Sequence, residues 1–361
     1  MIGVTISPLE RAGLRPRVDK ALSGFLATQR TVLLEIDPAL AEVADVVSAF
    51  VLGGGKRLRP AFAYWGFRGA GGLDSDEVVA AVSALELVQA SALIHDDLMD
   101  RSDTRRGEPS VHRRFELLHR TEGWRGGGGA TGFGDSAAVL LGDLSLVWSD
   151  EMLHTSGMGL AELGRARAVF DRMRTEVTVG QYLDVHTQAT GNTSLERAGK
   201  VARFKSAKYT IERPLLLGAA LAGAGPEIFA SYAAFGLPLG EAFQTRDDVL
   251  GVFGDPERTG KPAGDDLREG KRTYLVASAF ERLDEAGRAE LDAALGSPEL
   301  DDAGVERLRA VIRESGALDA TESRIETLTG EALTALAGAA IEDEARSVLR
   351  ELADAATRRS V

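Results

Sequence analysis

The residues with the clearest capacity for chemistry lie at Leu93-Ile94-His95-Asp96-Asp97-Leu98-Met99-Asp100, at the end of a long apolar-periodic segment. On a helix, Asp96 and Asp100 share a face one turn apart. Stacked carboxylates repel unless a cation lies between them, and at a helix C-terminus they also oppose the macrodipole. All-oxygen donors suit a hard divalent ion such as Mg²⁺, which keeps positions open for substrate phosphates. A solvated helix end would account for one such pair on its own. The chain holds a second pair, at Phe243-Gln244-Thr245-Arg246-Asp247-Asp248-Val249-Leu250-Gly251.

Cations accompany both pairs. Gly53-Gly54-Gly55-Lys56-Arg57-Leu58-Arg59-Pro60 places three of them behind a glycine turn, and Arg101-Ser102-Asp103-Thr104-Arg105-Arg106-Gly107 follows the first acidic pair. Glycines let backbone N–H groups face an anion, and adjacent arginines bind diphosphate oxygens through planar forks. The first of these is no Walker A loop, because the spacing and the Lys-Ser/Thr ending are missing. Gly260-Lys261-Pro262 and Gly270-Lys271-Arg272 follow the second pair. Carboxylates for metal and then cations for phosphate, twice over, describe a chain that binds metal-complexed diphosphates.

The elements that must position these groups read as helices. Alanine and leucine recur at helical spacing, as in Val78-Val79-Val82-Leu85 and Leu215-Leu216-Ala219-Ala220, and alternating strand patterns are scarce. The spacing predicts one or two helices over 14–52, with Pro38 in a first turn after Asp37, and a helix over 76–100 capped by Ser75 or Asp74. A polar connection over 101–113 leads to a helix near 135–155. Others follow at 161–189, 194–208, 212–224 and 226–251, then several amphipathic helices over 274–357, broken at Gly296-Ser297-Pro298 and Gly316. Gly127-Gly128-Gly129-Ala130-Thr131-Gly132 fits the dinucleotide pattern GxGxxG. It lacks the preceding strand, reads as a connection between helices, and is assigned no cofactor. No linker divides the chain, so one large helical domain is expected.

Composition bounds the rest. The 361 residues are 44% hydrophobic, include no cysteine and carry a net charge of −13. Disulfides and thiolate metal sites are excluded, and the charge argues against nucleic acid or an anionic membrane as partner. No leader-like start and no span of uninterrupted apolar residues is read, so a soluble cytoplasmic protein is expected.

Taken together, GGGKRLRP, LIHDDLMDRSDTRRGEPSVH, FQTRDDVLG and GDPERTGKPAGDDLREGKRT resemble, in kind and order, the trans-prenyl diphosphate synthases, or polyprenyl synthetases. The resemblance spans roughly residues 20–350 and implies a single polyprenyl synthetase domain over 1–361 with that core. It implies an all-α isoprenoid-synthase bundle with a central cavity across which the two acidic motifs face. It also implies a trinuclear Mg²⁺ cluster on Asp96, Asp100 and Asp247, with Asp97 and Asp248 supporting. Lys56, Arg59, Gln89 and Arg106 would hold isopentenyl diphosphate, while Arg105, Lys205, Lys261 and Lys271 would face the allylic diphosphate. Ser206 and Gln244 would lie near the developing allylic cation, and the family usually forms homodimers. Small residues below the first motif, Ser91 and Ala92 with Val88 beneath, imply a longer product, geranylgeranyl (C20) rather than farnesyl (C15) diphosphate.

Two departures stand out. The third acid of the second motif is replaced by Gly251, for which Asp255 is a poor substitute, and weakened or water-mediated coordination is expected. Gln89 stands where some members carry histidine, and can still donate to phosphate. Alternatives of other classes are a noncatalytic partner subunit, supported only by Gly251, and a class I terpene cyclase, which typically carries a different second metal motif.

Overall fold

A computed structural model describes residues 11–126, 128–254 and 264–357. Lys261 and Asp255 lie outside the described residues. The elements, in order, are α1 (Leu14–Ile36), α2 (Ala41–Leu52), α3 (Leu58–Gly69), α4 (Asp76–Met99), a hairpin of β1 (Thr104–Arg105) and β2 (Glu108–Pro109), α5 (Val111–Thr121), α6 (Gly129–His154) and α7 (Leu160–Ala189). After α8 (Leu195–Val201) a π-helical stretch, Ala202–Glu212, runs directly into α9 (Arg213–Ala222). Then come α10 (Pro226–Phe253), the single turn α11 (Asp265–Arg268), α12 (Tyr274–Arg282), α13 (Glu285–Ala294), α14 (Asp302–Glu314), α15 (Ala317–Gly338) and α16 (Asp343–Thr357).

The helix starts follow their capping residues. Ser75 accepts from the Val78 N–H, Ser194 from Arg197 and Thr273 from Val276, each satisfying a donor that the first turn leaves open. Pro38 opens a short 3-10 turn after Asp37, whose side chain accepts from the Ala39 N–H. Two expectations change. Residues 58–69 form a helix of their own. The connection expected over 101–113 holds a hairpin, and α5 starts at its end and runs on to Thr121, with Val111 and Phe115 buried one turn apart. The glycine-rich segment leads from α5 into α6, which starts at Gly129.

The chain forms two units with interleaved sequence. Unit 1 comprises Met1–Phe170, Pro214–Ala224 and Ile341–Val348; unit 2 comprises Asp171–Arg213, Gly225–Ala340 and Leu349–Val361. The core of unit 1 is built on α4, which is buried nearly all round from Val78 to Ile94. Its length and composition alone would suit a bilayer, but 72% of its most apolar window is packed inside the protein. Helix α3 fills the space beside it with Phe62, Tyr64 and Trp65. Helix α9 crosses α3 backbone to backbone: a Cβ on Gly66 would stand 3.0 Å from Leu215 Cα, so only glycine permits the approach. Unit 2 packs Val249 and Val252 of α10 with Leu267, Leu275, Leu308, Ile312 and Ile325. The Arg246 guanidinium donates to both carboxylate oxygens of Glu322 at 2.6 Å and to the Thr357 carbonyl at 3.0 Å, tying α10 to α15 and α16.

Candidate active site

In unit 1 the first acidic motif occupies the last turn of α4. Asp97 is buried, and the Arg105 Nε donates to its two oxygens at 2.9 and 3.1 Å, with Nη2 also bonded to Oδ1. The same Nη2 lies 3.9 Å from Asp96 Oδ2. One guanidinium thus answers the repulsion between the two acids. Asp97 acts as an anchor for Arg105, while Asp96 keeps some exposure (16%).

The hairpin aims Arg105 and Arg106. Arg106 and Gly107 have φ of 56° and 81°, the left-handed pair of a two-residue hairpin turn. For arginine this conformation is unfavourable, by about 1 kcal/mol or more. Among the described residues the other non-glycines with positive φ are Ala12, Arg57 and Arg101. Of these four, Arg101 directly follows the motif and Arg106 turns the hairpin beyond it, and strained backbone of this kind clusters at functional sites. Arg106 Nη1 donates to the Gly54 carbonyl at 3.1 Å, joining the hairpin to the glycine turn that carries Lys56. Burial lowers the Arg106 pKa, and the neighbouring Arg57 and Arg105 add to this against the pull of Glu86.

Arg57 turns inward. Its Nη1 donates to Glu86 Oε2 at 2.6 Å and its Nε to Asp19 at 2.9 Å. Burial opposes its charge, but the two carboxylates outweigh burial and raise its pKa. With Arg57 fixed in the core, Lys56 is left exposed beside it and Arg59 half-buried in the first turn of α3; Gln89 is half-buried on α4. Val88 and Ser91 are buried, and Ala92 is half-buried a turn before Asp96.

In unit 2 the second motif lies near the end of α10. Asp248 is fully enclosed: Gln244 Nε2 donates to its Oδ1 at 2.8 Å and the Tyr274 N–H to its Oδ2 at 3.1 Å. Burial pushes its carboxyl up to about 7, against the pull of Gln244. Asp248 therefore fixes the entry to α12, and Asp247 beside it is half-buried. Lys271 forms an ion pair with Glu269 and lies 3.9 Å from Asp266.

Lys205 and Ser206 sit in the π-helical stretch, a departure from α geometry that recurs at functional sites. Lys205 Nζ donates to Asp184 Oδ2 of α7 at 2.6 Å. The sequence reasoning missed Asp184; its signal was an acid four residues after Gly180 in Gly180-Gln181-Tyr182-Leu183-Asp184. Gly180 lets α7 lie directly on this stretch, since a Cβ there would be 2.7 Å from Lys205 Cα. Gly240 does the same for α10, 2.8 Å from Ala207 Cα, one turn before Gln244.

Each unit thus carries an aspartate pair with arginine or lysine side chains in its neighbourhood. A Polyprenyl synthetase family model matches residues 41–312. A geranylfarnesyl diphosphate synthase of Aeropyrum pernix is 34% identical over 306 residues, covering 83% of this chain and 89% of its own. A geranylgeranyl diphosphate synthase of Methanosarcina mazei is 34% identical over 241 residues, 66% of this chain and 68% of its own. The crystal structure of geranylgeranyl pyrophosphate synthase from Corynebacterium glutamicum, complexed with isoprenyl diphosphate and magnesium, matches at 42% identity. Its TM-score is 0.92, over 96% of this chain and 99% of that one. The chain belongs to the polyprenyl synthetase family, with its helical fold. Within the family it is a trans-prenyl diphosphate synthase, an enzyme that elongates prenyl chains.

Proposed function

We propose that the enzyme condenses isopentenyl diphosphate with an allylic diphosphate (dimethylallyl, geranyl or farnesyl) head to tail, 1′-4, and releases inorganic diphosphate, ending at geranylgeranyl diphosphate. The observation that carries this reading is the linkage within unit 1: Asp97 holds Arg105, and Arg106 holds the glycine turn beside Lys56. Carboxylate and cation loops are there preorganised together, which solvated surface charge would not require.

Lys56, Arg59, Gln89 and Arg106 bind the isopentenyl diphosphate. Arg105, Lys205 and Lys271 bind the allylic diphosphate, with Lys261 assigned the same role from sequence. Asp96, Asp100 and Asp247 are all-oxygen donors in a chain without thiolates, and this donor chemistry fits Mg²⁺. Asp97 and Asp248, already engaged by Arg105 and by Gln244 with Tyr274, support them. Bound as a trinuclear cluster, Mg²⁺ would neutralise the leaving diphosphate. As the allylic C1–O bond breaks, the Ser206 hydroxyl and the Gln244 amide oxygen face the developing positive charge. The isopentenyl double bond forms the new bond through C4 to C1, and its C2 proton passes to a diphosphate oxygen. Holding both diphosphates in register makes the step effectively unimolecular.

Support for the C20 product comes from the small Ser91 and Ala92 below Asp96 and from geranylgeranyl synthases among the similar proteins. We also read the whole chain as one catalytic domain, because it passes between its two units five times, at 170/171, 213/214, 224/225, 340/341 and 348/349, and we assign it to the cytoplasm. A second copy of the chain is the partner that suits α6, which exposes Val139, Leu140 and Val147 (44, 64 and 64%).

Incubation with Mg²⁺, isopentenyl diphosphate and farnesyl diphosphate tests the assignment. Geranylgeranyl diphosphate is expected. Asp96→Ala and Asp247→Ala each lower turnover by orders of magnitude, and a variant at near-wild-type rate removes that residue from the ligand set. Hydrocarbon release in place of a longer diphosphate would overturn the reading.

A further inference from the structure

The second acidic motif stops at Gly251, where an acid one turn beyond Asp247 would share its face. In the structure that space is filled. A Cβ built on Gly251 would stand 2.5 Å from Asp266 Cγ and 3.0 Å from its Oδ1, and nearer still to Oδ2. The Asp266 carboxylate thus lies against the α10 backbone, where a side chain at 251 would begin. Helical Cβ atoms four residues apart are about 5–6 Å from one another and tilt toward the helix N-terminus. The carboxylate is therefore on the Asp247 face, one turn along.

The delivery is structural. Asp266 belongs to the single turn α11, preceded by Gly264 and followed by Gly270 with φ of 73° and 74°. Leu267 anchors that turn in the core of unit 2 and is fully buried. The Lys271 N–H donates to the Asp266 carbonyl at 2.9 Å, and Lys271 Nζ lies 3.9 Å from Oδ1. Asp266 itself is 9% exposed, so its carboxylate is held at the helix surface rather than free in solvent. Gly251 and Asp266 are mutually dependent: any Cβ at 251 displaces the carboxylate.

We propose that Asp266 is the missing third carboxylate of the second acidic motif, brought in from α11 through the space that Gly251 leaves open, and that it helps hold the divalent cation bound by Asp247. The inference rests on the prenyl synthase reading of Asp247. Mg²⁺ keeps several of its waters, and an acid on the Asp247 face can accept hydrogen bonds from them. On this basis Gly251 is part of the metal motif in altered form and no sign of a lost activity.

Mn²⁺ serves as the probe, with inorganic diphosphate as co-ligand, and free Mn²⁺ is counted by electron paramagnetic resonance on the full chain. Asp266→Asn keeps the size of the side chain, and its Mn²⁺ affinity is expected to fall about 10–100-fold. Gly251→Asp alone, which collides with Asp266, also weakens binding. The double change Gly251→Asp with Asp266→Ala returns the acid to α10 and recovers affinity to within severalfold of wild type. Thermal unfolding checks each fold, and the double variant decides the matter if Asp266→Asn unfolds. Unchanged affinity in Asp266→Asn, or a double variant no better than a folded single one, overturns the proposal. Asp247→Asn separates the two levels: if it too binds Mn²⁺ normally, the parent reading of the motif fails; if it alone loses Mn²⁺, only the role of Asp266 does.

Discussion

Glycine-to-alanine exchange at two positions of α7 offers a test with opposite expected signs. At exposed Gly164 an added Cβ would meet nothing within 4 Å. Gly164→Ala should stabilise the protein by about 0.5–1 kcal/mol, the usual helix-interior gain. At Gly180 the same methyl would stand 2.7 Å from Lys205 Cα, nearer still to the Lys205 backbone nitrogen, and against backbone that cannot rotate away. The π-helical stretch must retreat by about 0.7–1 Å, and overpacking of this kind costs about 1–3 kcal/mol. Net of propensity, Gly180→Ala should destabilise by about 0–2 kcal/mol. The larger effect falls on activity, because the retreat carries Lys205 away from Asp184. A misplacement near 1 Å can cost about 100-fold in rate. Urea unfolding midpoints and steady-state kcat and KM on both variants give the comparison. If Gly180→Ala is as stable as Gly164→Ala and retains full kcat/KM, the packing argument for Lys205 is wrong.

Ala92→Phe places an aromatic ring a turn before Asp96 and should shorten the main product by one or more isoprene units; an unchanged product by chromatography removes α4 as the ruler. Arg57→Met strands buried Glu86 and should cost about 3–5 kcal/mol, while Arg57→Met with Glu86→Met should recover much of it. Urea denaturation of the two variants measures the difference. Burial would raise the Glu176 carboxyl, but the bonds from Arg213 and Arg172 outweigh it and hold the pKa below the ordinary range. A depressed pKa contributes stability that is complete above the unfolded value, about 4.3, and is lost as pH falls toward the folded one. Acid titration of stability should therefore show a drop below about pH 4.3 that is smaller in Arg213→Met; identical profiles would exclude this pair as a source of acid sensitivity.

The sequence displayed some of this architecture openly and concealed the rest for identifiable reasons. Helix α4 and its cap at Ser75 were legible because a long apolar run ended in an unusual acid pair. Helix α3 was not: it is buried on nearly every side, so it has no polar face to set a period. Gly66 permits the close approach to α9, which no local pattern encodes. Helix α5 had its period in Val111, Phe115 and Leu118, but its first residues read as the end of the polar connection over 101–113, and the interspersed charges hid the rest. The π-helical stretch lies against α7 and α10 at Gly180 and Gly240, and that packing is tertiary information. The roles of Asp97 and Asp248 as anchors were indicated only as support, since acid-pair spacing cannot say which acid turns inward. Asp266 was invisible as a partner of Gly251 because the two are distant along the chain and meet only through α11.

The last helix has a bearing on how the protein is made. Ile341, Ala345 and Val348 complete the buried surface of unit 1, while Leu349, Leu352, Ala353 and Ala356 complete that of unit 2. Domains generally fold as units and in order of synthesis, the N-terminal one first. Here that order is blocked: neither half can finish its interior until α16 has been made. The growing chain therefore carries apolar surface from both halves until α16 has been made. Nonsense or frameshift lesions just short of α16 would damage the two halves together, although every residue assigned to metal or diphosphate would still be present.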